Sequence, residues 1–346
     1  MNISILGAGA WGTALACQIA ARHTVQLWGR DPQQMQFLRG RGENTRYLPG
    51  ALLPESLDIT TDLGQALAHA GRDGLLVLAV PVAGLREVAQ AIRAHGDKAP
   101  SAPRNVLILA KGFERGSRML PHEVLEAVFA GWGAPPAVGV LSGPSFAQEV
   151  ARGLPVALTL ASSNEALIQH GVRALHGGSM RVYASSDLLG VEVGGAVKNV
   201  LAIACGVSDG LEQGHNARAA LITRGLAEMA RLGLALGARM ETFMGLSGLG
   251  DLVLTCTGEL SRNRRVGLQL AAGKPLAHIV AELGHVAEGV YTAQTVLELS
   301  RNHEVAMPIA GAVADVLAGH CSAQDALHAL LAREPQPEVA QSRELR

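Results

Sequence analysis

Short apolar runs alternate with helix-like stretches through the first half of the chain. Runs of this kind, bounded by polar or Gly- and Pro-rich segments, favour strands that are buried on both faces of a sheet. They lie at residues 2–6, 24–28, 74–80, 105–110, 137–141, 155–161 and 180–184. Because these runs alternate with helical stretches, the pattern predicts a parallel sheet covered by helices.

Beyond residue 190 the strand-like runs fade and helical spacing takes over. The stretches that predict helices are residues 191–208, 217–236, 264–272, 291–301, 309–318 and 323–332. The pattern therefore predicts an α/β fold, with a parallel sheet domain over residues 1–188 and an all-helical domain over residues 189–332. The remaining residues, 333–346, are polar with two prolines, which predicts a loosely ordered tail.

The first predicted strand runs directly into a glycine-rich turn and then into a helix-forming stretch. The turn carries Gly7, Gly9 and Gly12 in the spacing Gly-x-Gly-x-x-Gly, with Ala10 and Trp11 before the third glycine. Here Gly7 allows the tight turn, Gly9 leaves room for a pyrophosphate, and Gly12 lets helix and strand pack closely. The amino end of the helix then faces the anion. The motif predicts a Rossmann-type domain that binds a dinucleotide.

The residue after the second strand bears on which dinucleotide is bound. An acid there would bind the ribose 2′-hydroxyl of NAD, whereas an arginine can accommodate the 2′-phosphate of NADP. Arg30 lies there, and the following Asp31 and Pro32 predict the N-cap and first residue of a helix. NADP(H) is therefore favoured and NAD(H) stays open. The alternative interpretation of Arg30 is a solvated surface arginine.

Composition narrows the class of protein. The 346-residue chain is 48% hydrophobic but only 3% aromatic, which predicts a large core of closely packed aliphatic side chains. A formal net charge of -1 argues against a nucleic-acid-binding protein. Four scattered cysteines predict reduced thiols in a cytoplasmic protein, and the 12 histidines suggest no metal site. Lacking a signal-peptide pattern or an unbroken apolar run of roughly 18 residues, the chain is expected to have no membrane span.

A lone lysine carries the predicted chemistry of the helical domain. Lys198 is the only charged residue between Glu192 and Asp209, and helical spacing places it on one face with Gly194 and Gly195. Glycines inside a helix cost about 1 kcal/mol each relative to alanine, and we expect this pair to let a flat ligand approach closely. A desolvated lysine can transfer a proton near neutral pH. The alternative is a lysine whose ammonium reaches the surface.

Other polar side chains follow strand ends and glycine-rich turns. Lys111 and the segment from Ser142 to Ser145 follow two predicted strands, at the edge where ligands of such sheets bind. Asp251 follows a glycine-rich turn. Residues 261–263, Ser-Arg-Asn, precede a predicted helix, where the serine could cap the helix and leave free N–H groups, an arginine and the Asn263 amide to bind a phosphate. The alternative for Lys111 is an ordinary surface lysine, and that for Asp251 is a helix N-cap. For residues 261–263 the alternatives are a solvated basic turn and, least favoured, a contact with nucleic acid.

Taken in order, these segments resemble the family of bacterial glycerol-3-phosphate dehydrogenases that use NAD(P). The resemblance extends to about residue 330 and depends on residues 7–16, 110–112, 142–147, 194–199, 216–222, 248–252 and 261–265. It implies a dinucleotide domain joined to a helical domain like that at the C-terminus of 6-phosphogluconate dehydrogenase. It also implies interconversion of dihydroxyacetone phosphate with sn-glycerol 3-phosphate, as a supply for phospholipid synthesis.

The resemblance implies roles residue by residue. Lys198 would be the proton donor or acceptor, and Asp251 could orient its ammonium by a charge-assisted hydrogen bond. Substrate contacts are implied for Lys111, Gly143, Ser145, Asp251, Ser261, Arg262 and Asn263. Beside the fingerprint glycines Gly7, Gly9 and Gly12, cofactor contacts are implied for Ala10, Trp11, Arg30, Lys111, Ala147, Arg262, Val286 and Glu288. Two residues depart from the family's usual pattern: Ala10 replaces a common serine, which removes a hydrogen bond to phosphate, and Ser145 replaces a frequent threonine.

Two other functions stay open at this point. A dehydrogenase of 3-hydroxy acids also joins a Rossmann domain to a helical domain that bears a lysine. Its substrate carries a carboxylate, however, so a phosphate site at residues 261–263 argues against it. A non-catalytic dinucleotide sensor would need the fingerprint but neither Lys198 nor Arg262. The expected partner is a small-molecule substrate, and the chain could form a homodimer.

Overall fold

The computed structural model describes residues 1–97, 102–283 and 287–333, and within them it shows an eight-stranded sheet. The strands are β1 (Asn2–Leu6), β2 (Thr24–Trp28), β3 (Asp58–Thr60), β4 (Leu75–Leu78), β5 (Asn105–Ile108), β6 (Ala137–Ser142), β7 (Val156–Ser162) and β8 (Met180–Ser185). Their order is β3-β2-β1-β4-β5-β6-β7-β8. Because the first six follow the strand order of dinucleotide-binding sheets, the predicted Rossmann-type fold is confirmed.

Helices cover both faces of this sheet. They are α1 (Ala10–Ile19), α2 (Pro32–Arg41), α3 (Leu63–Ala70), α4 (Val82–Gly96), α5 (Pro121–Phe129), α6 (Ala147–Ala151) and α7 (Glu165–Leu175). Along β4, Leu75 and Val77 enter one apolar core, whereas Leu76 and Leu78 enter a second core on the other face. This alternation explains why the strands read as continuous apolar runs rather than as alternating ones.

One pair of neighbouring strands contradicts the expectation of a parallel sheet. β7 runs antiparallel to β6, with Val140 opposite Ala161, while the other neighbours pair in parallel. The cause is the short connection, since α6 has only five residues. Parallel strands need a crossover long enough to traverse the sheet, and α6 is too short for one. The three-residue edge strand β3 was not predicted.

The second half of the described chain is helical, as predicted. Its helices are α8 (Leu188–Gly210), α9 (Gly214–Ala235), α10 (Met240–Met244), α11 (Asp251–Thr257), α12 (Arg262–Ala271), α13 (Leu276–Leu283), α14 (Glu288–Asn302), α15 (Pro308–Ala318) and α16 (Ala323–Leu331). A π-helical turn, Leu246–Gly250, joins α10 to α11. The pattern did not predict α10, α11 or α13. The domain boundary at residues 188 and 189 stays a prediction, and the tail beyond Arg333 lies outside the described residues.

The central helix of this half is α8. Its residues from Gly190 to Ser208 are all buried. By length and composition α8 could cross a membrane, but 89% of its apolar window is buried inside the protein. Its apolar side chains therefore find their partners in the core that the surrounding helices form.

α8 and α12 cross in direct backbone contact. A Cβ on Gly206 would lie 2.1 Å from the carbonyl oxygen of Arg264, and a Cβ on Gly267 would lie 2.1 Å from the carbonyl oxygen of Ile203. Neither position can accept a side chain without a shift of one helix. The crossing therefore fixes the first half of α12 against the carboxyl-terminal third of α8.

Candidate active site

The turn between β1 and α1 has a geometry that suits a pyrophosphate. Gly7 has a φ of +124°, and a Cβ there would lie 2.6 Å from the carbonyl oxygen of Ala79. A Cβ on Gly12 would lie 2.0 Å from the carbonyl oxygen of Gly7, so both glycines are needed for close packing. A Cβ on Gly9, by contrast, would meet none of the described protein atoms within 4 Å. The first turn of α1 carries no acid and no side-chain cap, which leaves its N–H groups suited to an anion.

Two lysines share one buried carboxylate where the sheet meets the helical half. Lys198 Nζ donates to Asp251 Oδ1 at 2.6 Å, and Lys111 Nζ donates to Asp251 Oδ2 at 2.7 Å. Lys198 also donates to Thr255 Oγ1 at 2.9 Å. The side chains of Lys198 and Asp251 are 8% and 2% exposed, and that of Lys111 is 18% exposed. We call these four residues the lysine–aspartate cluster.

The cluster settles two of the alternatives left open by the sequence. The ammonium of Lys198 does not reach the surface, because it is held inside by Asp251. Asp251 is not a helix N-cap, since it lies in the first turn of α11 after Gly250 and its carboxylate points to the lysines. Both side chains are therefore buried in a position suited to proton transfer.

Burial tunes the proton affinity of the cluster. Desolvation of the Lys198 ammonium lowers its pKa to about 8, because burial outweighs the attraction of Asp251 and the charge of Lys111 acts in the same direction as burial. Burial alone would raise the pKa of Asp251, but the charges and hydrogen bonds of Lys111 and Lys198 bring it below its ordinary value. Asp251 is thus ionised at neutral pH, and Lys198 can give up or take a proton close to it.

The space beside the glycine pair of α8 is filled by other parts of the protein. A Cβ on Gly194 would lie 2.7 Å from the carbonyl oxygen of Ser247, in the π-helical turn. A Cβ on Gly195 would lie 3.3 Å from Ser142 Oγ and 3.4 Å from Cγ of Lys111. The expectation that this pair makes room for a flat ligand is therefore wrong. The two glycines instead let the π-helical turn and the stem of Lys111 approach α8.

The loop after β6 lies beside the cluster. The carbonyl oxygen of Gly143 accepts from Lys111 Nζ at 3.1 Å and from Ser145 Oγ at 3.1 Å. Ser145 Oγ accepts in turn from the indole Nε1 of Trp11 at 3.1 Å. The structure thus brings together three of the residues for which substrate contacts were implied, and joins them to α1. Ala147, the first residue of α6, is buried at the end of this loop.

The amino end of α12 carries a cation. Ser261 caps the helix, as predicted, and its side chain accepts from the backbone N–H of Arg264 at 3.2 Å. The first residue of the helix, Arg262, is exposed to solvent. Desolvation by the surrounding protein lowers the pKa of its guanidinium, and the charge of Glu288 acts in the opposite direction. Half-buried Glu288 has a raised pKa because burial outweighs the influence of Val82 N–H and Arg262. Its Oε2 lies 3.5 Å from a Cβ built on Gly112, next to Lys111.

The side chain of Asn263 is already engaged within the protein. Its Nδ2 donates to Asn199 Oδ1 at 2.9 Å, and its Oδ1 accepts from the backbone N–H of Gly289 at 3.0 Å. The amide thereby ties α12 to α8 and α14. A phosphate at this helix end would meet the backbone N–H of Asn263 more readily than its side chain.

Cofactor contacts were also implied for Arg30 and Val286, and neither residue belongs to the described lysine–aspartate cluster. Arg30 is 82% exposed, and its guanidinium approaches Glu87 at 3.8 Å. The N-cap predicted beside it is confirmed, because the Asp31 side chain accepts from the backbone N–H groups of Gln33 and Gln34. Val286 lies outside the described residues.

Sequence reasoning missed Thr255 and the role of Asp209. Thr255 lies four residues after Asp251, which is one helical turn; it was missed because no helix was predicted over residues 251–257. Asp209, near the end of α8, accepts from Arg264 Nε at 2.8 Å and from Arg218 at 3.1 Å. The sequence signal for this pairing was an acid near the end of a predicted helix, with arginines in the helices that follow. Within the described ranges, no group of three or more His, Cys, Asp or Glu residues could hold a metal ion.

The order of the sheet and the turn after β1 place this chain among the dinucleotide-binding proteins. A buried lysine with a lowered pKa at the same sheet edge is the group that a dehydrogenase needs for the proton of its reaction. The fold and the site therefore define a two-part, nicotinamide-dependent dehydrogenase. Comparison with known proteins then narrows the class.

Two family models match, and together they cover nearly the whole chain. The model of the NAD-dependent glycerol-3-phosphate dehydrogenase N-terminus matches residues 2–168, and that of the C-terminus matches residues 187–328. The chain belongs to the NAD-dependent glycerol-3-phosphate dehydrogenase family. The resemblance drawn from the sequence is thereby confirmed.

Full-length relatives agree with this membership. The chain is 57% identical over 340 residues to a protein of Janthinobacterium sp. (strain Marseille) named glycerol-3-phosphate dehydrogenase (NAD(P)+), covering 98% of this chain and 100% of the relative. A protein of Herminiimonas arsenicoxydans with the same name is 56% identical, with the same coverage. Among solved structures, glycerol-3-phosphate dehydrogenase from Coxiella burnetii is 41% identical, with a TM-score of 0.88, covering 96% of this chain and 98% of that one.

Proposed function

We propose that this protein interconverts dihydroxyacetone phosphate and sn-glycerol 3-phosphate with NADP(H) or NAD(H). The observation that carries the proposal is the lysine–aspartate cluster, in which Lys198 has a pKa of about 8 and is held by Asp251. Relatives that share 56–57% of their residues with the chain bear the name of this activity.

In reduction, the ketone of dihydroxyacetone phosphate gains a hydride at its carbon and a proton at its oxygen. A dinucleotide held by its pyrophosphate at the glycine-rich turn would supply the hydride from its nicotinamide, or take it up in the reverse reaction. Lys198 would give its proton to the carbonyl oxygen and would remove it again from the C2 hydroxyl during oxidation. Asp251 orients the Lys198 ammonium, and Lys111 keeps the carboxylate ionised.

The phosphate would bind at the amino end of α12. The backbone N–H groups there lack helical partners, and Arg262 adds a cation that is open to solvent. Binding energy from this remote group would align the carbonyl with Lys198. A phosphate site of this kind favours the proposed substrate over a 3-hydroxy acid, and the buried Lys198 argues against a non-catalytic sensor.

The finer parts of the proposal rest on the family resemblance. We propose that glycerol 3-phosphate from this reaction supplies phospholipid synthesis in the cytoplasm, and that the chain forms a homodimer. The direct test of the function is a nicotinamide absorbance assay with dihydroxyacetone phosphate, run separately with NADPH and NADH. Absence of turnover with both cofactors would contradict it.

Arg262 provides a test of the phosphate site. Charge-assisted hydrogen bonds contribute about 1.5–3 kcal/mol each, so Arg262→Ala should lower kcat/KM for dihydroxyacetone phosphate at least roughly tenfold. Unphosphorylated dihydroxyacetone, a poor substrate throughout, should be affected much less. Arg265→Ala is the matched control, because the exposed Arg265 lies one turn along and bonds only the carbonyl oxygen of Glu259 at 3.0 Å among the described contacts. Equal losses for both substrates would remove Arg262 from the phosphate site.

Arg30 provides a test of cofactor choice. A guanidinium can bind a 2′-phosphate with paired N–H donors, so we expect NADPH to be used at least as well as NADH. Arg30→Asp should reverse this order by about tenfold in the ratio of kcat/KM values, as expected when a charge-assisted contact becomes a repulsion. The effect should shrink as salt rises, because Arg30 is exposed. Glu87→Gln removes the acidic neighbour and should keep the order; an unchanged ratio in Arg30→Asp would make Arg30 a surface residue.

A further inference from the structure

Trp11 makes a contact that dinucleotide binding does not explain. It is the second residue of α1, directly after the fingerprint turn, yet its indole Nε1 bonds Ser145 Oγ at 3.1 Å. The two residues are 134 positions apart, and Ser145 belongs to the loop beside the lysine–aspartate cluster. The indole thus links the cofactor half of the site to the substrate half.

The chemistry of the partners fixes the direction of these hydrogen bonds. An indole N–H can only donate, and a carbonyl oxygen can only accept. Ser145 Oγ therefore accepts from Trp11 and donates its single hydrogen to the carbonyl oxygen of Gly143, 3.1 Å away. The same carbonyl accepts from Lys111 Nζ, so it is held on two sides. Gly143 itself has a φ of +131°, and a Cβ built on it would lie 3.0 Å from the carbonyl oxygen of Ala157.

With its hydrogen engaged, Ser145 keeps one lone pair for a ligand. A hydroxyl has one donor and two acceptor positions, and Trp11 and Gly143 use one of each. Ser145 is half-buried, so its hydroxyl stays accessible to a ligand. It can accept from a ligand hydroxyl but has nothing to donate to a carbonyl, a carboxylate or a methyl group.

We propose that Trp11 is a specificity-determining residue that holds Ser145 as a hydrogen-bond acceptor for the terminal hydroxyl of the substrate. This inference rests on the proposed function. Dihydroxyacetone phosphate and glycerol 3-phosphate both carry a terminal hydroxymethyl group at the end opposite the phosphate. A carboxylate at that end would meet the Ser145 lone pair with repulsion. Trp11 therefore acts on substrate choice through Ser145, without touching the reacting atoms.

The test compares dihydroxyacetone phosphate with acetol phosphate, which carries a methyl group in place of the terminal hydroxymethyl. The measured quantity is the ratio of kcat/KM values for the two substrates with saturating cofactor. In Ser145→Ala this ratio should fall at least about threefold, the scale of one neutral hydrogen bond. Trp11→Phe keeps an aromatic ring but removes the N–H, and it should lower the ratio in the same direction. The double variant should be no worse than Ser145→Ala alone, because the two residues act in series.

Trp28→Phe is the matched control. It removes an equivalent indole donor, which bonds the carbonyl oxygen of Thr61 at 3.0 Å in the same sheet domain. This variant should leave the substrate ratio unchanged even if it lowers the melting temperature. A fall in the ratio for Trp28→Phe, additive losses in the double variant, or an unchanged ratio in Trp11→Phe would each overturn the proposal.

A second measurement does not depend on activity. The chain has three tryptophans, so a nitrogen–proton NMR spectrum shows three indole signals, and Trp11→Phe identifies one of them. Ser145→Ala should move that signal and leave the other two in place. An unmoved signal would contradict the Trp11–Ser145 bond itself. An inactive wild-type protein with a moved signal would instead contradict the proposed function and leave the contact established.

Discussion

Lys198→Ala should fold and bind the dinucleotide but lose roughly 10²–10⁴-fold in the chemical step, which is the usual contribution of a general acid or base. Folding should survive because Asp251 keeps its second cation, Lys111, at 2.7 Å, so no buried carboxylate is left unpaired. The measurement is single-turnover reduction of dihydroxyacetone phosphate at saturating substrate, together with direct titration of the cofactor.

The control for Lys198→Ala is another paired lysine. Lys274→Ala removes an ammonium that pairs with Glu282 at 2.9 Å on the surface, and it should leave turnover unchanged. Near-native turnover by Lys198→Ala would show that the proton comes from another group or from water.

Asp251→Asn should weaken folding and move the pH dependence of the reaction. Removing one partner of a buried ion pair costs about 3–5 kcal/mol, and here two ammonium groups lose their shared carboxylate. Because the attraction of Asp251 raises the pKa of Lys198, the variant should hold that pKa below its present value of about 8. Folding lowers the pKa of Asp251, so its stabilisation is present at neutral pH and is lost as the pH falls through that lowered pKa.

The sign of the pH effect follows from the direction of the reaction. Reduction needs protonated Lys198, so in the wild-type protein its kcat/KM should fall as the pH rises through about 8. Oxidation needs the neutral amine and should rise over the same range. In Asp251→Asn both transitions should move to lower pH. The measurements are kcat/KM profiles in both directions and denaturant unfolding at neutral and acidic pH.

Asp209→Asn separates the loss of stability from the shift of the pH profiles. Asp209 also pairs with two cations, Arg218 and Arg264, but at the far end of α8. It should lose stability without moving the midpoint of either profile. If Asp209→Asn and Asp251→Asn shifted the profiles equally, or if neither did, Asp251 would not control the proton affinity of Lys198.

The sequence predicted the parts of this molecule that local patterns encode. The turn at residues 7–12, the buried strands and the long helices each follow from spacing and composition within a short window. The direction of β7 did not, because it depends on whether α6 can traverse the sheet. α11 was missed because the glycines before Asp251 are typical of a loop, whereas here they form a π-helical turn.

For the side chains of the site, too, local patterns could be predicted from the sequence but contacts between distant segments could not. Lys198 stood out as a lone charge in an apolar helix, so its burial was foreseeable. The bond from Lys198 to Asp251 was expected, but the second bond of that carboxylate, to Lys111, could not be predicted, since the residues come from separate parts of the chain. Spacing suggested a ligand next to Gly194, but the backbone of Ser247 lies there instead. Only the packed structure shows which close approach a glycine serves.

The glycine crossing of α8 and α12 limits how this enzyme could be redesigned or could diversify. The backbones touch at Gly206 and Gly267. No smaller residue could therefore widen the space between the helices there, and even one added methyl group would force them apart. We expect the distance between the proton-transferring lysine and the anion-binding helix end to be nearly invariant. New substrates would then have to match this fixed span, and selection for longer or shorter ones would act on loop residues while leaving the two helices in place.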